Sequence, residues 1–326
     1  MEKYLVTGFS GFVAKHFLDF LDEQKVLAYV LGVDIHPPEF NIHEFKDVRC
    51  SFEQTDLLNK DRVDNIIYQF QPDYILHLAS FSSVAFSWKN PVTSFANNTN
   101  IFLNLLEQVR RMNLDCRILS IGSSEEYGNV NEADIPLHED QLLNPTSPYA
   151  VARVSQEMLS KLYVDSYGMD IVMTRSFNHI GPGQKDIFVI SSFAKQLVDI
   201  SKQEGDKKLL TGDISIIRDF VDVRDVVRAY CLLLKKGKKG EVYNICSGEG
   251  TSLKEIIDKM ASILNVDISI RKNENLIRPN DNHIIIGSNE KIKQDTGWQR
   301  EISLDKSLKD IILYWRGLLG LSLIHI

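Results

Sequence analysis

Long apolar runs and a strong positive charge are both missing from this sequence of 326 residues. No apolar stretch reaches the roughly 20 residues that a membrane-spanning helix needs, so we expect no membrane partner. The formal net charge is -7, and binding to nucleic acid phosphates needs clustered Lys and Arg. Nucleic acid is therefore excluded as the main partner.

Cysteine is also scarce, with 4 residues that show neither a CxxC pattern nor metal-ligand spacing, at Cys50, Cys116, Cys231 and Cys246. This distribution predicts free thiols in a reducing compartment and no metal site. A strand-like pattern begins within the first residues, where a secretory signal would show a different pattern. We therefore expect a cytoplasmic protein.

The C-terminal residues are unusual. Residues 321–326, Leu-Ser-Leu-Ile-His-Ile, follow a predicted amphipathic helix over 304–318. They match the translation of a transposon end that is used to prepare sequencing libraries. We expect residues 319–326 to be a tail whose last six residues are a sequencing scar, and the alternative is a genuine short tail.

Strand-like and helix-like segments alternate through the first half. The apolar, strand-like segments are 4–6, 29–34, 47–51, 74–78, 116–122 and 170–175. The helical patterns between them include 60–70, 91–112 and 148–167. This alternation predicts an α/β fold, a Rossmann-type doubly wound parallel sheet over residues 1–175.

The second half, residues 176–318, is more mixed. Helical patterns at 187–202, 223–234, 252–264 and 304–318 enclose short extended pieces near 208–210, 241–245 and 268–270. We predict a smaller mixed α/β substrate-binding lobe, some of whose segments rejoin the sheet. A cleft between the two parts is a usual place for a small ligand.

A glycine-rich turn follows the first predicted strand, with the sequence Gly-Phe-Ser-Gly-Phe-Val-Ala at residues 8–14. Such a turn before a helix presents unpaired N–H groups and the positive end of the helix dipole, which suits a dinucleotide pyrophosphate. The motif alone is also compatible with an ordinary strand-to-helix turn.

Two carboxylates follow the next strands. Asp34 ends the second strand, where a carboxylate can bind the adenosine ribose and would repel a 2′-phosphate, so it favours NAD(H) over NADP(H). Asp56, with Leu57, follows the third strand, where it could meet the adenine amino group or simply cap the next helix.

The end of the fourth strand, Leu78, Ala79 and Ser80, contains small residues that would let the cofactor lie across the sheet. The preceding His77 is best interpreted as a packed core histidine.

Tyr149 and Arg153 lie at i and i+4 of a predicted helix, so they share one face. A cation beside a phenol favours the phenolate, which can transfer a proton at neutral pH.

These residues resemble those of an extended short-chain dehydrogenase/reductase, in the nucleotide-sugar branch that acts on GDP-6-deoxy-hexoses. The resemblance covers nearly the whole chain, up to about residue 318. The stretches that carry it are residues 113–119, 123–128, 177–184, 218–225, 242–248, 278–279 and 286–288.

The resemblance implies a role for each matching position. The catalytic residues would be Ser123, Tyr149, Arg153 and Glu125. The NAD(P)(H) cofactor would contact Gly8, Phe9, Ser10, Gly11, Phe12, Val13, Asp34, Asp56, Leu57, Leu78, Ala79, Ser80, Tyr149, Arg153 and His179. The GDP-sugar would contact Ser82, Ser124, Glu125, Asn178, Lys195, Arg218 and Arg278. For Arg218 the alternative is an ion pair with Asp219 or Asp222, and for Arg278 a solvated loop position.

The resemblance implies reduction of the C4 keto group of a GDP-4-keto-6-deoxy-hexose to a GDP-D-rhamnose type of product, for surface polysaccharide synthesis. One alternative is a GDP-mannose 4,6-dehydratase with Glu125 as the C5 base. Another is a nucleotide-binding module without catalysis, because Arg153 replaces the usual Lys and cannot join a proton relay. We also expect a homodimer with a four-helix interface, formed by the helices at 91–112 and 148–167.

Overall fold

The computed structural model describes residues 1–202, 207–276 and 282–320. The strands are β1 (Glu2–Thr7), β2 (Ala28–Asp34), β3 (Val48–Gln54), β4 (Tyr74–His77), β5 (Arg117–Ser123), β6 (Asp170–Ser176), β7 (Asn178–Ile180), β8 (Lys208–Thr211), β9 (Ile217–Asp222), β10 (Val242–Ile245), β11 (Gly250–Ser252), β12 (Ser269–Lys272) and β13 (Ile284–Ile285). The helices are α1 (Phe12–Glu23), α2 (Lys60–Phe70), α3 (Val84–Lys89), α4 (Pro91–Arg111), α5 (Pro148–Tyr167), α6 (Val189–Ile200), α7 (Val223–Lys236), α8 (Leu253–Leu264), α9 (Glu290–Thr296) and α10 (Leu304–Leu318).

A seven-stranded sheet in the order β10-β6-β5-β4-β1-β2-β3 forms the centre of the molecule, and all its neighbouring strands are parallel. The strands are short apolar runs because both faces of the sheet are covered by helices. In a parallel sheet the carboxyl ends of the strands meet at one edge. The predicted Rossmann-type sheet is confirmed, and that edge receives the ends of β1, β4 and β5.

Each face of the sheet has its own apolar core. On one face α1 and α7 bury side chains such as Phe17 and Tyr230, while on the other α2, α4 and α5 bury Ile67, Phe102 and Tyr163. A third core lies away from the sheet, between α6, α8 and α10. The same half of the chain forms two small sheets. In one, β9 pairs with β7, β11 and β13, and the other is the parallel pair of β8 and β12.

The C-terminal half contributes directly to the central sheet. β10 pairs with β6, and α7 packs over the face that α1 also covers. The chain therefore crosses between the sheet and the third core more than once. The division at residue 175 stays a prediction.

The longer elements match the sequence patterns, whereas several short ones do not. The helix predicted over 187–202 is shorter, at Val189–Ile200, and the strand predicted over 47–51 is longer, at Val48–Gln54. Sequence patterns did not indicate α3, α9 or the strands β7, β9, β11 and β13. These short elements are stabilised by tertiary pairing, which has little periodicity to reveal it.

All four cysteines are free, as predicted, and three of them are buried. Burial raises the pKa of the Cys50 and Cys116 thiols to about 12. Among the described residues, no helix is long and apolar enough to cross a bilayer. Nor does the described part of the chain contain a cluster of three or more His, Cys, Asp or Glu residues placed to hold a metal ion.

A group of buried charges lies beneath the carboxyl ends of β5 and β6. Arg175 donates from Nε and Nη2 to the two carboxylate oxygens of Glu157, both at 2.9 Å. Glu126 is fully buried nearby, and its Oε1 accepts the backbone N–H of Ser123 at 2.7 Å. Within the described residues its Oε2 has no hydrogen-bond partner. Burial, and then the negative charge of Glu157, raise the pKa of Glu126 well above its usual range.

This raised pKa predicts a pH-dependent stability difference between the wild type and Glu126→Gln. Above about pH 5 the unfolded carboxyl releases its proton while the folded one retains it, so the free energy of unfolding of the wild type falls as pH rises. The variant lacks this loss, and its amide oxygen can still accept the Ser123 N–H. Urea denaturation should show the variant gaining stability relative to the wild type between about pH 5 and 8. A pH-independent difference, as expected for the exposed control Glu132→Gln, would contradict this account.

Candidate active site

The glycine turn after β1 packs closely against the backbone that follows β4. Gly8 has φ +70°, and a Cβ there would lie 2.7 Å from the backbone nitrogen of Ala79. Gly11 is the N-cap of α1 and supplies no side-chain hydrogen bond to the helix. The first N–H groups of α1 therefore point outward without a capping side chain, as a bound pyrophosphate requires.

The apolar residues of the turn have different positions. The ring of Phe9 is fully buried against Gly32 on β2 and packs near Phe52 on β3. It therefore holds the glycine turn against the sheet. Phe12 stacks on His179 with ring centroids 5.9 Å apart. Val13 is half-buried in the first turn of α1. Contact between Phe9 and a cofactor would therefore have to involve its backbone.

Asp34 lies directly beside the glycine turn. Its two carboxylate oxygens accept the backbone N–H groups of Ser10 and His36, both at 3.1 Å. The Ser10 hydroxyl donates to the His36 carbonyl at 2.5 Å, which ties the end of β2 to the turn. The negative charge is therefore held at the place where the ribose of a dinucleotide on this turn would lie.

Asp56 is exposed and does not cap α2. Its Oδ1 accepts the N–H of Leu58 at 2.9 Å, whereas the side chain of Asn59 is the N-cap and accepts from Arg62. The helix-capping interpretation of Asp56 is therefore wrong by three residues. Leu57 is buried beside it, and its carbonyl accepts from Asn104 at 2.9 Å.

The end of β4 lines the centre of the sheet edge. Thr7 Oγ1 accepts the N–H of Ala79 at 3.3 Å and contacts His77 Nδ1 at 2.8 Å. Burial, and then the charge of Arg153, lower the pKa of His77 to about 3, so the imidazole is neutral. His77 is fully buried, as predicted for a core histidine, while Leu78 and Ser80 beside it are half-buried.

Ser123 is the last residue of β5 and caps the short 3-10 helix Ser124–Tyr127. Its Oγ accepts the N–H of Glu125 at 3.2 Å, and its own N–H donates to Glu126. Because the oxygen acts as an acceptor in this cap, the hydroxyl hydrogen is able to donate to a substrate oxygen. Ser124 is buried and Glu125 half-buried on the same turn.

Tyr149 and Arg153 lie on the first turns of α5 and are both buried. Arg153 Nε donates to the Tyr149 hydroxyl at 3.2 Å, and Nη2 donates to Ser80 Oγ at 2.5 Å. Nη1 donates to the carbonyl of Ile121 at 2.9 Å, two residues before Ser123. One guanidinium therefore joins the ends of β4 and β5 to the tyrosine.

This arrangement can perform proton transfer to an oxygen at the sheet edge. The guanidinium of Arg153 donates a charge-assisted hydrogen bond to the phenol oxygen of Tyr149, on the same helix face. A serine hydroxyl at the end of the adjacent strand supplies a second donor, and the glycine turn supplies the dinucleotide cradle. The residues present therefore fit a bound dinucleotide.

The predicted substrate residues lie in several places. Ser82 and Asn178 are exposed, the latter on β7 directly before His179. Lys195, on α6, pairs with Asp186 at 2.5 Å. Arg278 lies outside the described residues.

Arg218 is mostly buried on β9, and its Nη1 donates to the carbonyl of Ile217 at 2.8 Å. Of the two carboxylates considered as its partners, Asp219 accepts the N–H groups of Ser247 and Gly248. Asp222 pairs with Arg224 at 2.8 Å and accepts from Ser307. Both carboxylates therefore have other partners, and Arg218 belongs to the half of the chain that was predicted to bind a second ligand.

Sequence patterns missed three residues that support the site. Thr7 orients the end of β4, Glu126 bonds the Ser123 peptide, and Gln156 accepts from Arg153 Nη1 at 2.8 Å. Two of them had a local signal. Gln156 lies three residues after Arg153 on a helix, and Glu126 completes with Ser123 the Ser-x-x-Glu pattern of a capping box.

Comparison with known proteins gives a consistent result. A family model described as GDP-mannose 4,6 dehydratase matches residues 5–311. The GDP-6-deoxy-D-mannose reductase of Pseudomonas aeruginosa is 34% identical, with 96% of this chain and 97% of the relative covered. The GDP-mannose 4,6-dehydratase of Yersinia enterocolitica is 26% identical, over 96% of this chain and 93% of the relative.

Among solved structures, RMD from Pseudomonas aeruginosa complexed with NADPH superposes with a TM-score of 0.86 at 32% identity. The match covers 98% of this chain and 100% of that structure. The predicted family and fold are therefore confirmed. The chain belongs to the GDP-mannose 4,6-dehydratase family of extended short-chain dehydrogenases/reductases, which are NAD(P)-dependent nucleotide-sugar oxidoreductases.

Proposed function

We propose that this enzyme reduces the C4 keto group of a GDP-4-keto-6-deoxy-hexose to a GDP-6-deoxy-hexose of the GDP-D-rhamnose type. The observation that carries the proposal is the bond from Arg153 Nε to the Tyr149 hydroxyl at 3.2 Å, at the same sheet edge as Ser123. The similarity to the Pseudomonas reductase supports the GDP-sugar. We expect the product to serve surface polysaccharide synthesis in the cytoplasm.

The chain's own residues would act on the substrate oxygen. The glycine turn and the residues after β4 would hold a reduced nicotinamide dinucleotide, which would provide the hydride for C4. Ser123 donates a hydrogen bond to the carbonyl oxygen and so polarises it, and Tyr149 then protonates the oxygen as negative charge develops. Arg153 stabilises the resulting phenolate, because its guanidinium keeps its positive charge throughout. Arg153, which replaces the usual Lys, therefore still places a cation in contact with the tyrosine.

We propose the cofactor and substrate roles residue by residue. The turn at residues 8–13 would hold the pyrophosphate, with Asp34 on the ribose and Leu78, Ala79 and Ser80 beside the nicotinamide. Arg218 would bind the nucleotide diphosphate, since a guanidinium can bond phosphate oxygens bidentately. Residues 1–175 would form most of the cofactor domain, and residues 176–318 most of the substrate lobe.

A specific observation favours one alternative. Glu125 lies on the turn that Ser123 caps, half-buried beside the proposed reaction centre. A carboxylate there could remove a C5 proton, as a GDP-mannose 4,6-dehydratase would require. This second reaction needs GDP-mannose and no added reductant. Retention of full GDP-mannose turnover in Glu125→Gln would argue against Glu125 as the C5 base, and absence of turnover by the wild type would argue against the dehydratase reaction.

The reductase assay measures the loss of reduced-nicotinamide absorbance with the GDP-4-keto-6-deoxy-hexose as substrate. We expect turnover by the wild type and a reduction of kcat by about 10²- to 10⁴-fold in Tyr149→Phe, because the proton donor is removed. Tyr163→Phe is the matched control, since this tyrosine lies on the same helix and bonds Glu107. Absence of turnover with both NADH and NADPH would refute the proposed reaction.

The choice of dinucleotide depends on Asp34. Replacement by Asn removes a negative charge that opposes a 2′-phosphate, an interaction of about 1 kcal/mol or more at close range. We therefore propose that the wild type prefers NAD(H), and expect Asp34→Asn to raise the NADPH-to-NADH ratio of kcat/KM by about tenfold. Asp73→Asn, at the opposite end of the sheet, is the control. An unchanged ratio in Asp34→Asn would show that Asp34 does not select the cofactor.

We also propose a homodimer through α4 and α5. These helices pack together and expose apolar side chains, namely Val92, Phe95, Val151, Met158 and Leu162. The three residues on α5 follow helical spacing and so form one stripe.

Charges on that stripe should separate the subunits. We expect light scattering to show a dimer for the wild type and a monomer for the double variant Met158→Glu, Leu162→Glu, since a buried unpaired carboxylate is costly. Tyr68→Glu, on the exposed face of α2, should remain dimeric. A wild-type monomer, or a dimeric double variant, would contradict this interface.

A further inference from the structure

Gln156 has a side-chain amide that is held at both ends. It is 1% exposed and lies one helical turn after Arg153 on α5. Its Oε1 accepts from Arg153 Nη1 at 2.8 Å, and its Nε2 donates to Ser120 Oγ at 2.8 Å and to the Ile121 carbonyl at 3.1 Å. The amide therefore connects the guanidinium to the middle of β5.

These partners determine the orientation of the amide. A flipped amide would place its N–H donors against the N–H groups of Arg153 and its oxygen against the carbonyl oxygen of Ile121. The observed orientation satisfies both ends, so the carbonyl oxygen is directed at the guanidinium. The Ser160 hydroxyl lies 3.2 Å from Ser120 Oγ, but its shorter contact, at 2.9 Å, is to the backbone carbonyl of Gln156 and not to the side-chain amide.

The guanidinium is planar, so fixing one of its nitrogens fixes the direction of the others. Nη1 is held by Gln156 and Ile121, and this leaves Nε aimed at Tyr149 and Nη2 aimed at Ser80. Loss of the Gln156 oxygen would leave a buried charged donor with one acceptor fewer. Such a donor favours rotation of the whole plane towards other acceptors.

We infer that Gln156 is a positioning residue, which aims Arg153 at the Tyr149 hydroxyl and at Ser80. The inference rests on the proposed function for its catalytic consequence, and on geometry alone for its effect on Arg153. A lysine at position 153 would present a single ammonium at the end of a flexible chain and has no second nitrogen that needs Gln156. The need for Gln156 is therefore specific to arginine.

A double-mutant cycle tests this specificity. The four proteins are the wild type, Gln156→Met, Arg153→Lys and the double variant, and Met is chosen because it keeps the volume of the side chain. We expect Gln156→Met to lower kcat at least fivefold when residue 153 is Arg, with less than a twofold effect when it is Lys. KM for the sugar nucleotide should change little.

Cofactor affinity is a second readout that does not need turnover. Arg153 and Ser80 lie at the proposed nicotinamide side, so the Kd of NADH or NADPH, by fluorescence titration, should rise in Gln156→Met only when residue 153 is Arg. Ser160→Ala is the control, because Ser160 belongs to the same buried network without touching Arg153. It should leave kcat and Kd within about twofold of the wild type.

The outcomes separate the two claims. Equal effects of Gln156→Met in both backgrounds, or an equal effect of Ser160→Ala, would overturn the positioning role and leave a purely structural one. If the wild type does not turn over the keto sugar, but the cofactor Kd shows the coupling, then the proposed reaction fails and the positioning role stands. Thermal melting of all five proteins identifies any variant that is simply unfolded, and Gln156→Asn then replaces Gln156→Met.

Discussion

The arrangement of the site depends on one buried cation. The guanidinium of Arg153 is almost fully removed from solvent. The free-energy cost of taking this charge out of water is offset by hydrogen bonds to four partners, Tyr149, Ser80, Ile121 and Gln156. These partners come from β5, from α5 and from the residues that follow β4. Removal of the cation would leave buried acceptors facing one another, so the same contacts that hold the tyrosine also hold the sheet edge together.

The parallel sheet explains why these residues meet. The carboxyl ends of β1, β4 and β5 lie side by side, so the glycine turn, Ser80 and Ser123 come together although they are far apart in sequence. Beneath them, the Glu157–Arg175 pair and the buried Glu126 fix the turn that carries Ser123. Lys195 lies on α6, one of the helices that enclose the third core, and Arg218 lies on β9. In the proposed reaction the sheet would position the cofactor, and this second part of the chain would select the sugar nucleotide.

Local spacing was enough to predict the parts of the site that depend on neighbouring residues. The glycine turn follows from residues 8–14, and the contact between Tyr149 and Arg153 follows from their i, i+4 spacing on α5. The end of β2 also brought Asp34 to the turn, as expected from the order of strand and helix. In each case the sequence separation is small, or the topology of the sheet leaves one arrangement.

The remaining features depend on contacts between distant segments. Gln156 meets Ser120 across 36 residues, and no sequence pattern links these two residues. Burial of Glu126 depends on Gly122, where a Cβ would lie 2.3 Å from its carboxylate oxygen. The sequence predicted an extended piece at 241–245 and the return of some segments to the sheet, but the pairing of β10 with β6 depends on tertiary contacts. Tertiary packing decides such cases, and propensity does not.

The central claim is that reduction takes place at C4 of a GDP-linked keto sugar with hydride from an added cofactor. Isotope transfer tests it most directly. Reduced nicotinamide carrying deuterium at its transferable position would be incubated with the wild type and the GDP-4-keto-6-deoxy-hexose, and the product analysed by mass spectrometry and NMR. The account predicts one deuterium per product molecule, bonded to C4 of the sugar. A reduced product without deuterium at C4, or no reduced product at all, would contradict it.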